Sequence, residues 1–224
     1  MKIDILSLFP GMFEGFLTES IIKRAIDNDK VKINIIDFRK FTTLKNGQVD
    51  DTAFGGGAGM VIMCDPIVRC LESIKDEDSY VILLDPKGYL YTEKKAKELS
   101  KKKHLIFICG HYEGIDERIK NFVDEVISIG DYVLTGGEVP AMAVCDSIIR
   151  LIPGVITDES LESESFDDGL LDYPVYTKPR DYRGYEVPEV LVSGDHKKID
   201  EYRLEEAKRL TKEIRPDLWE KYHE

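Results

Sequence analysis

The sequence predicts an α/β fold: a parallel sheet with helices on both faces, followed by a smaller second domain. Three observations lead there. Short apolar runs alternate with helical patterns, the runs are apolar at nearly every position, and glycine-rich loops follow two of them. Strands covered on both faces lose the in-and-out alternation of a half-exposed sheet. Such sheets place ligands beyond the carboxyl ends of their strands.

The elements follow in chain order. Lys2–Phe9 carries a charge inside its apolar run and no cleavage site, so it is a strand and not a targeting segment. Phe13, Phe16, Leu17, Ile21 and Ala25 recur at helical spacing. Val31–Asp37 is the next strand. Asp65-Pro66 has the form of a cap with proline at the first helical position, opening a helix through Ser73. Tyr80–Leu84 follows as a strand, and Thr92 can cap a helix over Glu93–Ser100. His104–Cys109 and Glu125–Ile129 complete the strands, and the apolar segment Ala141–Leu151 is helical. Ile152-Pro-Gly154 breaks it. The expected organisation is a ligand-binding domain over 1–154, an acidic flexible linker over 155–169, and a smaller domain over 170–224 with proline turns and a helix near Ile199–Ile214.

At 224 residues the chain can bury roughly 70% of its unfolded surface, so neither metal nor disulfide is required. Its four cysteines form no CxxC pair and fit buried free thiols in a reducing cytosol. No apolar run approaches the roughly 20 residues of a membrane helix, so a soluble cytoplasmic protein is expected. The net charge of −12 opposes a nucleic-acid partner. Its distribution weakens that objection, because Val155–Val175 holds seven acids and no Lys or Arg. From His196 onward the chain is balanced, with eight Lys/Arg against eight Asp/Glu.

Three glycine loops carry the chemistry. Phe54–Met60 lacks both the Lys-Ser/Thr of a P-loop and the spacing of a dinucleotide fold. The second is Cys109-Gly-His-Tyr-Glu-Gly114, continuing as Ile115-Asp-Glu-Arg118. The third is Ile129-Gly-Asp-Tyr-Val-Leu-Thr-Gly-Gly-Glu-Val-Pro140. Adjacent strand ends can bring the last two into one pocket, where backbone groups read a flat ligand. The residues alone leave structural turns open as the alternative, and a non-catalytic nucleotide- or RNA-binding module as well.

These loops, with Ser7-Leu-Phe-Pro10 and Ser165-Phe-Asp-Asp-Gly-Leu-Leu171, resemble the bacterial tRNA (guanine-N1-)-methyltransferase family of the knotted SPOUT superfamily. Its motifs fit in order from Ser7 to about Pro216. The resemblance implies a deep trefoil knot in the first domain, a helical second domain, and a homodimer in which both subunits build the site. It implies methyl transfer from S-adenosylmethionine to N1 of guanosine 37, just 3′ of the anticodon, in tRNA with guanosine at positions 36 and 37. The donor would be held bent by Pro86, Gly110, Tyr112, Glu113, Gly114, Ile129, Gly130, Asp131, Tyr132, Val133, Leu134, Gly136, Gly137 and Pro140. The loop Phe54–Met60 would lie near the RNA or the donor.

Guanine N1 is a poor nucleophile until its proton leaves, so the reaction needs a base near N1 and a cation near O6. Arg150 ends the helix after the third loop and matches the family's catalytic arginine, although a cation at a helix C-terminus is also ordinary. The family's proposed base, an aspartate before Ser-Phe, is replaced here by Glu164, and Asp168 is the fallback. Lys178, Arg180, Arg183, His196, Arg203 and Arg215 are expected to contact RNA, with Tyr182 and Tyr185 stacking on unpaired bases. His104, His111 and His223 show no ligand spacing, so no protein-bound metal is expected. Magnesium assists the reaction in the resembling family, and no motif here assigns it a site.

Overall fold

The computed structural model describes residues 1–157, 165–166 and 169–223. The chain divides into two compact units, Met1–Ile156 and Thr157–Glu224. The first is built on five parallel strands: β1 (Lys2–Ser7), β2 (Lys32–Asp37), β5 (Ser79–Leu90), β6 (His104–Cys109) and β7 (Glu125–Ser128), in the order β2-β1-β6-β5-β7. Between β2 and β5 lies a two-residue antiparallel pair, β3 (Asp50–Asp51) and β4 (Val61–Ile62).

The central strand β6 is buried at all six positions, and its side chains split between two cores. Leu105 and Phe107 join Ile3, Ile5 and Phe13 on one face. There they pack with α2 (Ser20–Asp27), α4 (Glu93–Leu99) and α5 (Glu138–Ile149) through Ile22, Leu99, Val144 and Ile148. Ile106 and Ile108 join Leu6 and Phe38 on the other face, covered by α3 (Cys64–Ile74) through Ile67, Cys70 and Leu71. The near-continuous apolar runs therefore reflect a sheet covered on both faces.

Several boundaries differ from the sequence expectation. The first helical stretch is broken into a 3₁₀ turn (Pro10–Phe13), α1 (Glu14–Thr18) and α2, because Glu19 is extended and Ser20 has φ +55°. The break shifts the buried face, so that Ile22 rather than Ile21 joins the core. Helix α3 starts at Cys64 with Met63 as N-cap; Asp65 lies inside its first turn and pairs with Arg69 at 2.9 Å. Thr92 does cap α4, accepting from the Lys95 N–H. Strand β5 runs on past Leu84 through an irregularity, and Tyr89 and Leu90 pair again with Ile127 and Ser128.

At the amino ends of the strands a polar cluster is buried around His104 and Asp4 and reaches solvent at Asp76. His104, 2% exposed, holds Asp4 through Nε2 (2.9 Å) and meets Ser79 and Asp76 through Nδ1 (2.7 and 3.0 Å). Asn34 donates to the other Asp4 oxygen at 2.6 Å, so this buried carboxylate is satisfied. All four cysteines are free thiols, with Cys70, Cys109 and Cys145 buried.

The second unit holds a short hairpin, β8 (Asp181–Tyr182) and β9 (Tyr185–Glu186), then α6 (His196–Ile214) and α7 (Pro216–His223). Asp195 caps α6 by accepting from the Lys198 N–H. The hairpin turn places Arg183 and Gly184 at positive φ, the requirement of a two-residue turn matched to strand twist. Among the described residues, no helix is long and apolar enough to cross a membrane. Most of the acidic stretch that reads as a flexible linker, Glu164 and Asp168 included, lies outside the described residues.

Candidate active site

The carboxyl ends of β6 and β7 and the irregularity within β5 converge on a cavity of about 220 Å³. Three segments line it: Leu84–Lys87 from the irregularity in β5, Gly110–Ile115 after β6, and Ile127–Gly130, Tyr132–Gly137 and Pro140 from the end of β7 into α5. The second and third glycine loops thus share one pocket, as a ligand site requires and separate structural turns do not.

Backbone contact locks these loops together. Gly137 N–H donates to Gly110 O at 2.8 Å, and His111 bridges Gly136. A Cβ on Gly137 would lie 2.6 Å from Cys109 Cα and 2.9 Å from Gly110 N, so only glycine lets α5 start directly on the end of β6. Gly130 has φ +153°, and a Cβ there would meet the Tyr132 ring at 2.4 Å. Tyr112 takes the left-handed conformation at φ +59°, unusual for a bulky residue and of the kind found at functional sites.

The first glycine loop abuts the same place from the other side. Met60 O accepts from Glu113 N–H (3.1 Å), Gly114 O from Ile62 N–H (3.0 Å), and Ile62 O from Asp116 N–H (2.9 Å). This ladder joins the segment after Phe54–Gly59 to the loop that walls the cavity. Phe54 itself is fully exposed. Arg118 pairs with Asp116, holding that carboxyl below the usual range, so these two charges hold the loop's exit and stand outside the cavity wall.

The family profile described as tRNA (Guanine-1)-methyltransferase TrmD matches residues 1–221. The chain belongs to this family. Relatives bearing the name tRNA (guanine-N(1)-)-methyltransferase include one from Malacoplasma penetrans, 55% identical over 99% of this chain and 98% of its own length. One from Ureaplasma urealyticum is 53% identical over 99% and 98%, and one from Carboxydothermus hydrogenoformans is 52% identical over 100% and 95%.

Against that membership the sequence-derived residues fall in three groups. Pro86, Gly110, Tyr112, Glu113, Gly114, Ile129, Gly130, Tyr132, Val133, Leu134, Gly136, Gly137 and Pro140 all line the cavity. Asp131 does not; it is exposed beside Gly130. Arg150 is the C-cap of α5, whose N-terminus forms the cavity floor. Pro140 is the last residue of α5 on the cavity, and ten residues separate it from Arg150, about 15 Å at 1.5 Å per residue. An arginine side chain does not span that distance, so the chain's own Arg150 stays away from its own cavity.

Sequence reasoning missed Leu84, Asp85, Lys87, His111, Ile115, Ile127, Ser128 and Thr135, which also line the cavity. Each lies within one or two positions of a predicted residue. Their signal in the sequence is adjacency along the loop to a motif position. Among the described residues no group of three His, Cys, Asp or Glu is arranged to hold a metal ion.

In the second unit, Tyr182 and Tyr185 are 58% and 82% exposed on the hairpin, with Arg183 over the Tyr182 ring at 5.3 Å. Arg203 lies over Tyr173 at 4.8 Å. Arg180 is paired with Glu189, and Arg215 with Asp217.

Proposed function

We propose that the chain methylates N1 of guanosine 37 in tRNA, with S-adenosylmethionine held in the cavity at the ends of β6 and β7 and the irregularity within β5. The observation that carries this is the convergence of both strand-end glycine loops on one pocket in a chain of the tRNA (guanine-1)-methyltransferase family. The pocket suits that donor: Ile115, Ile127, Ile129, Leu134 and Pro140 offer apolar surface to a purine, and glycine backbone lies close enough for its polar edge. When bound, the donor supplies an electrophilic methyl on a sulfonium.

The chain's residues then align, deprotonate and stabilise. The loops fix the donor so that its methyl faces the target nitrogen, the alignment an in-line displacement requires. Glu164, or Asp168 in its place, takes the proton from guanine N1, and Arg150 stabilises the charge that gathers on O6. The distance of Arg150 from its own cavity supports a homodimeric site in which that arginine serves the partner's pocket. So does α5, which is apolar nearly all round and leaves Val139 and Ala143 exposed, as a helix at an interface does. The trefoil knot is supported by the path of the segment leaving β7, which returns to the end of β6 before entering α5. The exposed tyrosines of the hairpin, with Arg183 and Lys178, suit single-stranded tRNA, and His196 and Arg203 extend that surface along α6. Magnesium would assist through the RNA or near the reacting base, with no protein site assigned to it.

Labelled methyl transfer to tRNA transcripts tests the proposal. Replacing guanosine 37 by adenosine should abolish labelling, and equal labelling of both transcripts would defeat it. Arg150→Ala and Glu164→Gln should each lower turnover at least about a hundredfold. Loss in Asp168→Asn with near-normal Glu164→Gln moves the base to Asp168.

A further inference from the structure

Ser7, Phe9, His111 and Glu138 form a cluster behind the cavity wall that the chemistry above does not use. Glu138, 1% exposed, opens α5 and accepts from Ser7 Oγ at 2.7 Å through Oε1. Ser7 Oγ in turn accepts from Phe9 N–H at 2.9 Å, and the Phe9 ring packs on His111 at 4.6 Å between centroids. The Ser-Leu-Phe-Pro motif therefore supplies both an anchor for Glu138 and a backing for His111.

The other Glu138 oxygen is the anomaly. Oε2 is buried without a hydrogen-bond partner, and so is His111 Nδ1; the two face each other at 3.9 Å. Gly136 keeps the space between them open, since a Cβ there would lie 2.4 Å from Oε2 and 2.6 Å from Nδ1. Leaving a buried carboxylate oxygen unpaired is costly. Closing the gap to a charge-assisted bond of about 2.8 Å needs a movement of only about 1 Å. His111 belongs to the loop that lines the cavity, whereas Glu138 is fixed to β1 through Ser7.

We propose that Ser7, Glu138 and His111 form a latch in which the His111 side chain closes onto Glu138 and stiffens the Gly110–Gly114 loop against the start of α5 when the cavity fills. Glu138 and His111 are then positioning residues for the methyl donor. The inference rests on the donor-site assignment above. A bond of this class corresponds to roughly 10- to 100-fold in affinity.

The test is donor titration and steady-state kinetics on the full chain. His111→Leu keeps bulk against Phe9 and removes Nδ1; it should raise the donor KM about tenfold or more, with the tRNA KM and kcat at saturating donor within about twofold. Glu138→Leu should match it. The double variant should be no worse than either single variant, and Glu138→Gln, which can still hydrogen-bond both partners, should recover part of the loss. A donor KM within twofold of wild type in His111→Leu, or additive losses in the double variant, would overturn the latch. If Glu138→Leu melts before assay temperature, His111→Leu alone and combined with Glu138→Gln decide the matter. Failure of the wild-type chain to bind S-adenosylmethionine would sink the donor-site assignment instead.

Discussion

Gly137→Ala is the sharpest test of how the cavity is built. The added Cβ would lie 2.6 Å from Cys109 Cα, 0.8 Å inside the 3.4 Å at which ordinary contact begins. Cys109 Cα and Gly110 N are both backbone, so no rotamer change relieves the clash. Helix α5 must lift from the end of β6. A lift of that size stretches the 2.8 Å bond from Gly137 N–H to Gly110 O beyond hydrogen-bonding range. Losing one such bond costs about 0.5–1.5 kcal/mol, and overpacking a tight contact costs about 1–3 kcal/mol. The sum, roughly 2–4 kcal/mol, converts to a fall in Tm of about 5–15 °C for a chain of this length. The same lift parts the two loops, so S-adenosylmethionine affinity measured by calorimetry should fall at least tenfold. Gly15→Ala is the control, because nothing lies within 4 Å of the Cβ it would add, and it should be neutral or stabilising. A Gly137→Ala chain that melts within a degree of wild type and binds the donor normally would refute the argument.

Other expectations follow from the same geometry. Co-expressing Arg150→Ala with Gly137→Ala should restore about a quarter of wild-type turnover, since random pairing of two defective chains leaves half the dimers with one intact site of two; no recovery would place Arg150 in its own chain's site. Asp76 is held below the usual carboxylate range first by the Ser79 hydroxyl and then by His104. A lowered folded value gives stability that is present above the ordinary value of 3.8 and is lost as pH falls through the folded value. Asp76→Asn should therefore be less stable than wild type at neutral pH and converge with it in acid melts below about pH 4; parallel curves throughout would contradict this. Burial pushes Cys70 up to about 12 and raises Cys109 and Cys145 as well. At pH 8 a thiol reagent should label at most the half-buried Cys64 in the folded chain and all four cysteines in denaturant; two or more fast equivalents in the folded chain would refute it.

The strands were legible because a sheet covered on both faces leaves unbroken apolar runs. His104–Cys109 is bounded to the residue, being the most buried strand and ending at a glycine. Legibility failed where local signals competed. Phe13 to Ala25 keeps one helical period on paper, yet Ser20 at φ +55° breaks it, a conformation that no composition rule assigns to serine. Asp65-Pro66 has the form of a cap, but the aspartate is taken by Arg69 one turn on, and the helix begins before it. The tail of β5 was missed because Asp85, Pro86 and Gly88 break the strand pattern, although a glycine at 88 is what permits the close approach: a Cβ there would lie 2.5 Å from the backbone of Ile127.

The site divides along the same line. Its glycines were legible as a cluster: Gly137 is required where the start of α5 touches the backbone at the end of β6, Gly136 leaves room for the Glu138 and His111 side chains, and Gly110 accepts the Gly137 N–H. The side chains that stiffen this contact were not, because their partners are remote in sequence: Ser7 and Glu138 are 131 residues apart. No spacing rule connects them, and His111 read as a histidine without ligand neighbours. In the fold these three residues stand behind the one place where β1, β6 and α5 meet. The same helix that starts with Glu138 behind the cavity wall carries Arg150 about 15 Å from Pro140, its last cavity-lining residue. On the function proposed above, one rigid element would serve the donor pocket of its own chain at one end and offer the arginine at the other, and a complete site would need the far end of a second copy's α5, which the co-expression experiment tests.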